Sequence, residues 1–439
     1  MESGGNKKLN ILIISSGHPN ENSPKMAIDM LESLRLGGHH VNLLLKYKTK
    51  VDSENIISVF SSTDRIRHVF ERYVRGKLSK LKNRLIKVNK KKESALNYYF
   101  FNKNEDRPPV PSSLILRKIE YKYDLILIFF WQGMLSSKSL LDIYNKLHVP
   151  IFLLAADMFP MTGGCSYFWD CRNFESSCGR CPAFSSVDKN DFTNKIYLYK
   201  KNVYNSVNCI FLGNSWMTNF AKKSNLFKNI DIIYPVINEN IFSPKNKREL
   251  KANLNLSNKT VLFLGSVDIY EERKGFRYLV KALDIFSSII SQDKLNEIVL
   301  IVAGKANLNL QSYFRMQVIE VGYLSYEKLA EYYALSDIFL SPSIQDAGPM
   351  MVNQSLMCGT PVVAFNMGTA SDLVNMETGY LAEYKDENDF CAGILKLVEL
   401  SNEQKEQLSF HCREIALMTS SYDSFRKRIL DIYELLKNN

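Results

Sequence analysis

The densest run of residues able to do chemistry is 341–361, Ser-Pro-Ser-Ile-Gln-Asp-Ala-Gly-Pro-Met-Met-Val-Asn-Gln-Ser-Leu-Met-Cys-Gly-Thr-Pro. It reads as a strand end, a loop and a short helix. Gly348 lets the chain turn in, Pro349 suits the first helical position, and Gly359 suits a left-handed cap with Pro361 beyond it. The helix start then offers free backbone N–H groups near Gly348, Met350 and Met351. At the carboxyl end of a parallel strand such a start binds an anion with no side chain required. Asp346 precedes it and Gln354 follows eight residues later. Two acceptors at that spacing would hold two hydroxyl-bearing ends of one ligand with phosphates between them. The alternative is a helix cap at Asp346 and a polar helix face at Gln354.

Two adjacent cations, Arg273-Lys274, come before Gly275-Phe276, just after an apolar run that ends in Gly265-Ser266-Val267-Asp268. Cations so placed would meet a diphosphate and stabilise its charge as a bond breaks. Near the start of the chain, Ser16-Gly17-His18 follows a first apolar run, and Gly17 would allow a ligand to approach the backbone. That loop is not G-x-G-x-x-G, which argues against a nicotinamide cofactor. Asp157 precedes Thr162-Gly163-Gly164-Cys165. Its carboxylate would serve either as a base toward an acceptor hydroxyl or as a cap on that loop. Cys165, Cys171, Cys178 and Cys181 follow C-x5-C-x6-C-x2-C. They would close a structural zinc site or pack as reduced thiols.

The elements that must position these groups alternate. Apolar runs at 10–14, 41–45, 125–130, 151–155 and 209–213 read as strands, with a helix from 23 to 36 stopped by Gly37-Gly38. The pattern restarts at 261–265, 298–304, 318–322, 338–341, 361–365 and 380–381, with helices at 276–288, 326–334 and 350–357. Continuous apolar strands point to parallel sheets covered on both faces. Two successive β/α halves imply two doubly wound domains. They divide at a linker near 234–244 into a first half, 1–236, and a second half, 237–419; residues 420–439 form a last helix expected to pack on the first half. No repeat beyond this shared topology is present.

At 439 residues, with 46% hydrophobic and 23% charged residues, the chain is neither disordered nor low in complexity. No apolar run approaches the roughly 20 residues of a membrane span, and the first ten residues are polar, so a cytoplasmic protein is expected. The net charge of +10 is concentrated: residues 64–93 hold twelve basic and three acidic side chains. Apolar residues recur there every three or four positions. This basic amphipathic stretch, inside an insertion spanning about 46–104, would either lie on an anionic membrane surface or pack on the protein with a solvated basic face. No motif for nucleic acid accompanies the charge.

Together these residues resemble the retaining nucleotide-sugar glycosyltransferases of family 4, which have the GT-B fold. The match is strongest at Lys274-Gly275, the loop from Gly322, 341–354 and Cys358-Gly359-Thr360-Pro361-Val362-Val363. The run Asp157-Met158-Phe159-Pro160-Met161-Thr162-Gly163-Gly164-Cys165, with its Cys-rich loop 162–183, looks like the Thr-Gly-Gly-Cys signature of bacterial members that build surface polysaccharides. The resemblance implies two Rossmann-like domains facing a central cleft, with a nucleoside diphosphate sugar held mainly by the second. By it, Lys274 and Arg273 would neutralise the diphosphate and Asp346 would face the donor sugar. Gln354 would take the place of an acid that holds the ribose, Gly348, Met350 and Met351 would bind phosphate, and Tyr323 would lie near the base. Ser16, Gly17, His18 and Ser266 would complete the donor site. It implies no metal in catalysis and a glycan or lipid-linked glycan acceptor, and the basic stretch 64–92 would hold the protein near the inner face of the membrane where such acceptors sit. Three departures stand out: Gln354 for the second acid, Ser266 for a common arginine, and Ala156 for a common histidine. They motivate a non-catalytic nucleotide-sugar-binding scaffold as a rival reading, beside an epimerase on the same fold.

Overall fold

The structure is a computed structural model that describes residues 8–17, 22–49, 53–61, 97–100, 102–120, 122–305 and 309–437, with only the backbone described at 22–24. The described chain forms two compact units. One comprises the described residues up to Gly213, Met217–Ile232 and those from Asp431 on. The other comprises Asn214–Trp216 and Ile233–Leu430. The division therefore falls a few residues before the expected linker, and three residues after Gly213 group with the second unit. The final helix, Tyr422–Lys437, is shared: its residues from Asp431 group with the first unit.

The first unit is built on seven parallel strands: β1 (Asn10–Ser15), β2 (His40–Tyr47), β3 (Ile56–Phe60), β4 (Leu125–Phe129), β5 (Ile151–Leu154), β6 (Cys209–Gly213) and β7 (Asn229–Ile232). Their order is β3-β2-β1-β4-β5-β6-β7. Ile13 lies in register between Leu43 and Leu127. The central strands are buried on both faces, so their sequences run apolar without alternation, as a covered parallel sheet requires. One side of the core gathers Leu12, Ile14, Ile126, Ile128, Leu153, Tyr197 and Tyr204.

One of these strands corrects the expectation. Ile56–Phe60 lies inside the stretch 46–104 expected to be an insertion, yet it is the sheet edge, paired with β2 through Leu43↔Ile56 and Tyr47↔Phe60. Phe100, near the other end of that stretch, bridges Cys165. The basic segment 64–92 and His18 lie outside the described residues.

The second unit holds six parallel strands: β8 (Thr260–Asp268), β9 (Ile298–Lys305), β10 (Gln317–Gly322), β11 (Ile338–Ser341), β12 (Val362–Phe365) and β13 (Gly379–Ala382). They are ordered β10-β9-β8-β11-β12-β13. Phe263 of β8 sits between Ile301 and Phe339, and its ring meets Tyr333 edge-on at 5.2 Å. In each unit the strand order reverses once, between β1 and β4 and between β8 and β11. Ligands of such sheets bind outside the carboxyl ends of the strands at that reversal. The loops that leave β8 and β11 carry Arg273, Lys274, Asp346 and Gly348. Topology alone thus puts these residues side by side.

Candidate active site

After β8 a 3-10 turn, Glu272–Lys274, ends in Gly275, whose φ is +70°. A Cβ at Gly275 would lie 1.8 Å from the carbonyl oxygen of Pro342. Only glycine lets this turn press against the loop that leaves β11. The two loops are then stitched through their backbones: the N–H groups of Ile344 and Gln345 donate to the carbonyl of Arg273 at 2.8 and 3.2 Å.

This contact delivers both cations to one carboxylate. Arg273 Nη1 and Lys274 Nζ each donate to Asp346 Oδ2 at 2.7 Å. Arg273 also pairs with Glu271 at 2.6 Å. The N–H of Gly348 approaches the other oxygen, Asp346 Oδ1, at 3.4 Å. Asp346 is only 8% exposed. Burial works to raise its pKa, but Lys274 and Arg273 overcome this and hold the carboxyl at about 2. Burial pulls the Lys274 ammonium below its ordinary range, against the pull of Asp346 in the other direction.

The helix Met350–Met357 starts two residues past Gly348. Pro349 occupies the N-cap, one position earlier than expected, and no side chain caps the helix. Gly359, at φ +73°, closes it. Met351 covers Gly265, where a Cβ would lie 2.2 Å from the Met351 methyl. Lys274, Gly265, Ser341, Ser343, Pro349 and Met351 line a single recess. An uncapped helix start, a half-buried ammonium and two serines around one recess are the elements of a phosphate site.

The other expected donor residues are distributed. Ser266 is on β8, its hydroxyl donating to the Asp268 carbonyl at 3.0 Å. Tyr323 follows β10 and is 45% exposed. Gln354 is 1% exposed, and its Oε1 accepts from the hydroxyl of the fully buried Tyr333 at 3.5 Å. In the first unit, the N–H of Ser16 donates to the Phe130 carbonyl at 2.7 Å, joining the ends of β1 and β4. Gly17 has φ +56°.

Asp157 follows β5 and is 5% exposed. One oxygen accepts from the N–H of Phe159 at 2.9 Å and the other from Gln132 Nε2 at 2.6 Å. It therefore caps the turn Phe159–Met161 at the head of the Thr-Gly-Gly run. Lys200, fully buried, donates to the carbonyls of Phe159 and Thr162. A Cβ at Gly163 would lie 2.3 Å from the Thr193 carbonyl oxygen, so the glycine permits tight packing on the helix Phe192–Ser206.

Cys165, Cys171, Cys178 and Cys181 are free thiols within electrostatic reach of one another. Among the described residues no three His, Cys, Asp or Glu side chains form a group that could hold a metal ion. The sulfur of Cys178 accepts from the Gly163 N–H at 3.2 Å. Burial pushes Cys178 up to about 12 and Cys181 up to about 11, which keeps both as neutral thiols.

Glu271, Gln132, Lys200 and Asn214 were not singled out from the sequence. Asn214 and Ser215 follow the buried strand β6, and polar residues at a parallel strand's carboxyl end were the signal available there.

Comparison with known proteins bears on what this geometry does. Residues 258–400 match the family described as Glycosyl transferases group 1. The matched residues lie within the second unit. An uncharacterized glycosyltransferase of Haemophilus influenzae is 29% identical over 177 residues, 39% of this chain and 47% of that protein. An uncharacterized protein in the cps region of Klebsiella pneumoniae is 22% identical over 52% of this chain and 62% of its own length. An alpha-monoglucosyldiacylglycerol synthase of Streptococcus pneumoniae is 25% identical over 44% of each. The chain thus spans about half the length of the curated relatives it matches.

Solved structures extend the likeness to the whole fold. Sucrose-phosphate synthase of Thermosynechococcus elongatus aligns over 98% of this chain and 100% of its own, with a TM-score of 0.64 at 15% identity. Anabaena HepE in complex with UDP-glucose aligns over 97% and 100%, with a TM-score of 0.62 at 14% identity. WaaG, a glycosyltransferase involved in lipopolysaccharide biosynthesis, aligns over 97% and 99%, with a TM-score of 0.58 at 13% identity. The fold is GT-B. In GT-B terms, the cation pair, Asp346 and the uncapped helix all belong to the second Rossmann-like unit. No described helix is long and apolar enough to cross a membrane.

Proposed function

We propose that the chain is a retaining, metal-independent hexosyltransferase that moves a sugar from a nucleoside diphosphate to a surface glycan carried on a lipid. The observation that carries this reading is the meeting of Arg273, Lys274 and Asp346 beside the uncapped start of Met350–Met357. Two half-buried cations next to free helix amides suit a leaving diphosphate, whose charge grows as the glycosidic bond breaks. An arriving diphosphate would compete for Lys274 and Arg273, which frees Asp346 to accept from the sugar hydroxyls. Backbone near Tyr323 would flank the base. In the first unit Asp157 would act indirectly by holding the loop 157–165. The relatives in a cps region and in glycolipid synthesis favour a surface or lipid acceptor. The basic segment 64–92 would hold the enzyme at an anionic inner leaflet.

A panel of nucleoside diphosphate sugars, offered with lipid-linked acceptors, tests the activity, and the anomeric configuration of the product tests retention. Lys274→Ala should lower transfer by at least about 100-fold while the chain stays folded. A full rate in that variant, or an inverted product, would refute the assignment. The burial of Gln354 against Tyr333 favours a second reading, a nucleotide-sugar-binding scaffold, because a neutral amide there offers no charge to a ribose. Tight donor binding with no turnover across the panel would select that reading.

A further inference from the structure

Asn214–Trp216 group with the second unit although the residues before and after them group with the first. Within that unit the Asn214 side chain is 5% exposed. Its Nδ2 donates to the carbonyl of Ala347 at 2.7 Å and to the hydroxyl of Thr369 at 3.0 Å. Next to it, the Ser215 N–H donates to Asp372 Oδ2 at 2.9 Å, and the Ser215 hydroxyl bonds Asp372 Oδ1. Tyr234 also reaches Asp372, at 3.2 Å. A three-residue segment is thereby tied to both the loop 346–349 and the turn around 369–372.

The bond to Ala347 fixes a peptide plane. In a trans peptide the carbonyl and the following N–H point in opposite directions. Holding the Ala347 oxygen toward Asn214 turns the Gly348 N–H the other way, and there it meets Asp346 Oδ1 at 3.4 Å. The conformation this demands is one only glycine adopts with ease: Gly348 has φ +154°, and a Cβ there would lie 2.3 Å from Thr369 Oγ1 and 2.5 Å from Asn214 Nδ2. Asn214 and Thr369 therefore press on the loop where it joins the acid of the cation cluster to the helix start.

We propose that Asn214 is a positioning residue for the diphosphate-binding loop: by holding the Ala347 carbonyl it sets the direction of the Gly348 N–H and the placement of Asp346. This rests on the reading of that loop as a nucleoside diphosphate site. Asn214 does not touch the ligand; it acts through the Ala347–Gly348 peptide. Without its amide, the Ala347 carbonyl is left without that donor in a buried setting, and the peptide is released to rotate.

The test uses the full chain with UDP, ADP, GDP and CDP as probes, titrated calorimetrically against wild type, Asn214→Ala, Asn214→Asp and Ser215→Ala. Ser215→Ala loosens the same segment at Asp372 without touching Ala347. Asn214→Ala is expected to weaken the diphosphate bound by wild type about tenfold, and Ser215→Ala to leave it within about twofold. Asn214→Asp replaces the donor with an acceptor at neutral pH, and its affinity should recover as the pH falls and the carboxyl gains a proton to donate. Amide exchange over 346–352 without nucleotide supplies a second readout: protection should fall in Asn214→Ala and hold in Ser215→Ala. Equal losses in both alanine variants, or wild-type affinity and protection in Asn214→Ala, would overturn the proposal. If wild type binds none of the four probes, the diphosphate reading falls, and the exchange result still decides whether Asn214 sets this loop.

Discussion

Replacing Asp346 by Asn gives a prediction whose size follows from the geometry. Asp346 is 8% exposed and accepts from Arg273 and Lys274 on one oxygen. Its carboxyl is held at about 2 against an ordinary 3.8. At about 1.4 kcal/mol per pKa unit, this corresponds to about 2 kcal/mol of stability near neutral pH. Because the folded-state value is the lower one, that stability is present above about pH 4 and is lost as the pH falls from about 4 through about 2. The asparagine also leaves Arg273 and Lys274 side by side in a half-buried site with only Glu271, paired to Arg273, to offset them. Removing one partner of a buried ionic cluster costs about 3–5 kcal/mol in well-determined cases, so a loss of about 2–4 kcal/mol is expected. In a unit of this size it lowers the melting temperature by roughly 5–15 °C. Differential scanning calorimetry of wild type and Asp346→Asn measures it. The gap between them should shrink as the pH falls below about 4, and Lys274→Met added to Asp346→Asn should restore part of the loss. A variant that melts with wild type near neutral pH, or a gap that persists unchanged to about pH 2.5, would refute the reasoning.

Three further outcomes follow from the same structure. Gly275→Ala, with its Cβ 1.8 Å from the Pro342 oxygen at φ +70°, should cost at least about 3 kcal/mol in thermal unfolding; a wild-type melting curve would show that the two loops are not in contact. Gln354→Glu puts a carboxyl against Tyr333 at a position 1% exposed, and burial there raises its pKa. Its stability deficit should therefore grow as the pH rises from about 4, and a deficit independent of pH would mean that the side chain has turned to water. Lys274→Arg keeps the charge but not the compact ammonium. It should retain nucleoside diphosphate binding at reduced affinity, and equal loss in Lys274→Arg and Lys274→Ala by calorimetry would contradict a charge-based role.

Much of the architecture was readable because covered parallel strands leave a plain trace. β1, β4, β5, β6, β8, β9 and β11 are runs of apolar residues buried on both faces. The strands that escaped are edges. Ile56–Phe60 is half-buried throughout and Asn229–Ile232 is partly exposed, so neither carries a continuous apolar run. The cation pair and Asp346 were readable because glycines and prolines mark the loops that hold them. Their mutual bonding was not, since it depends on β8 and β11 being neighbours in the sheet though some 70 residues apart in sequence. The same holds for Asn214, whose partner Ala347 is 133 residues away, and for Gln354, whose partner Tyr333 sits on another helix. Asp157 could be read as base or cap from sequence; one of its oxygens accepts from the Phe159 N–H and the other from Gln132, a partner 25 residues away. The contact between Cys178 and the Gly163 N–H, 15 residues apart, was not legible in the cysteine spacing.

The most direct test of the central claim is a crystal structure of the chain with a nucleoside diphosphate bound. The account predicts diphosphate oxygens within about 3 Å of Lys274 Nζ and of the backbone amides at Met350 and Met351. A diphosphate bound elsewhere, with the Lys274–Asp346 pair intact beside an empty helix start, would contradict it.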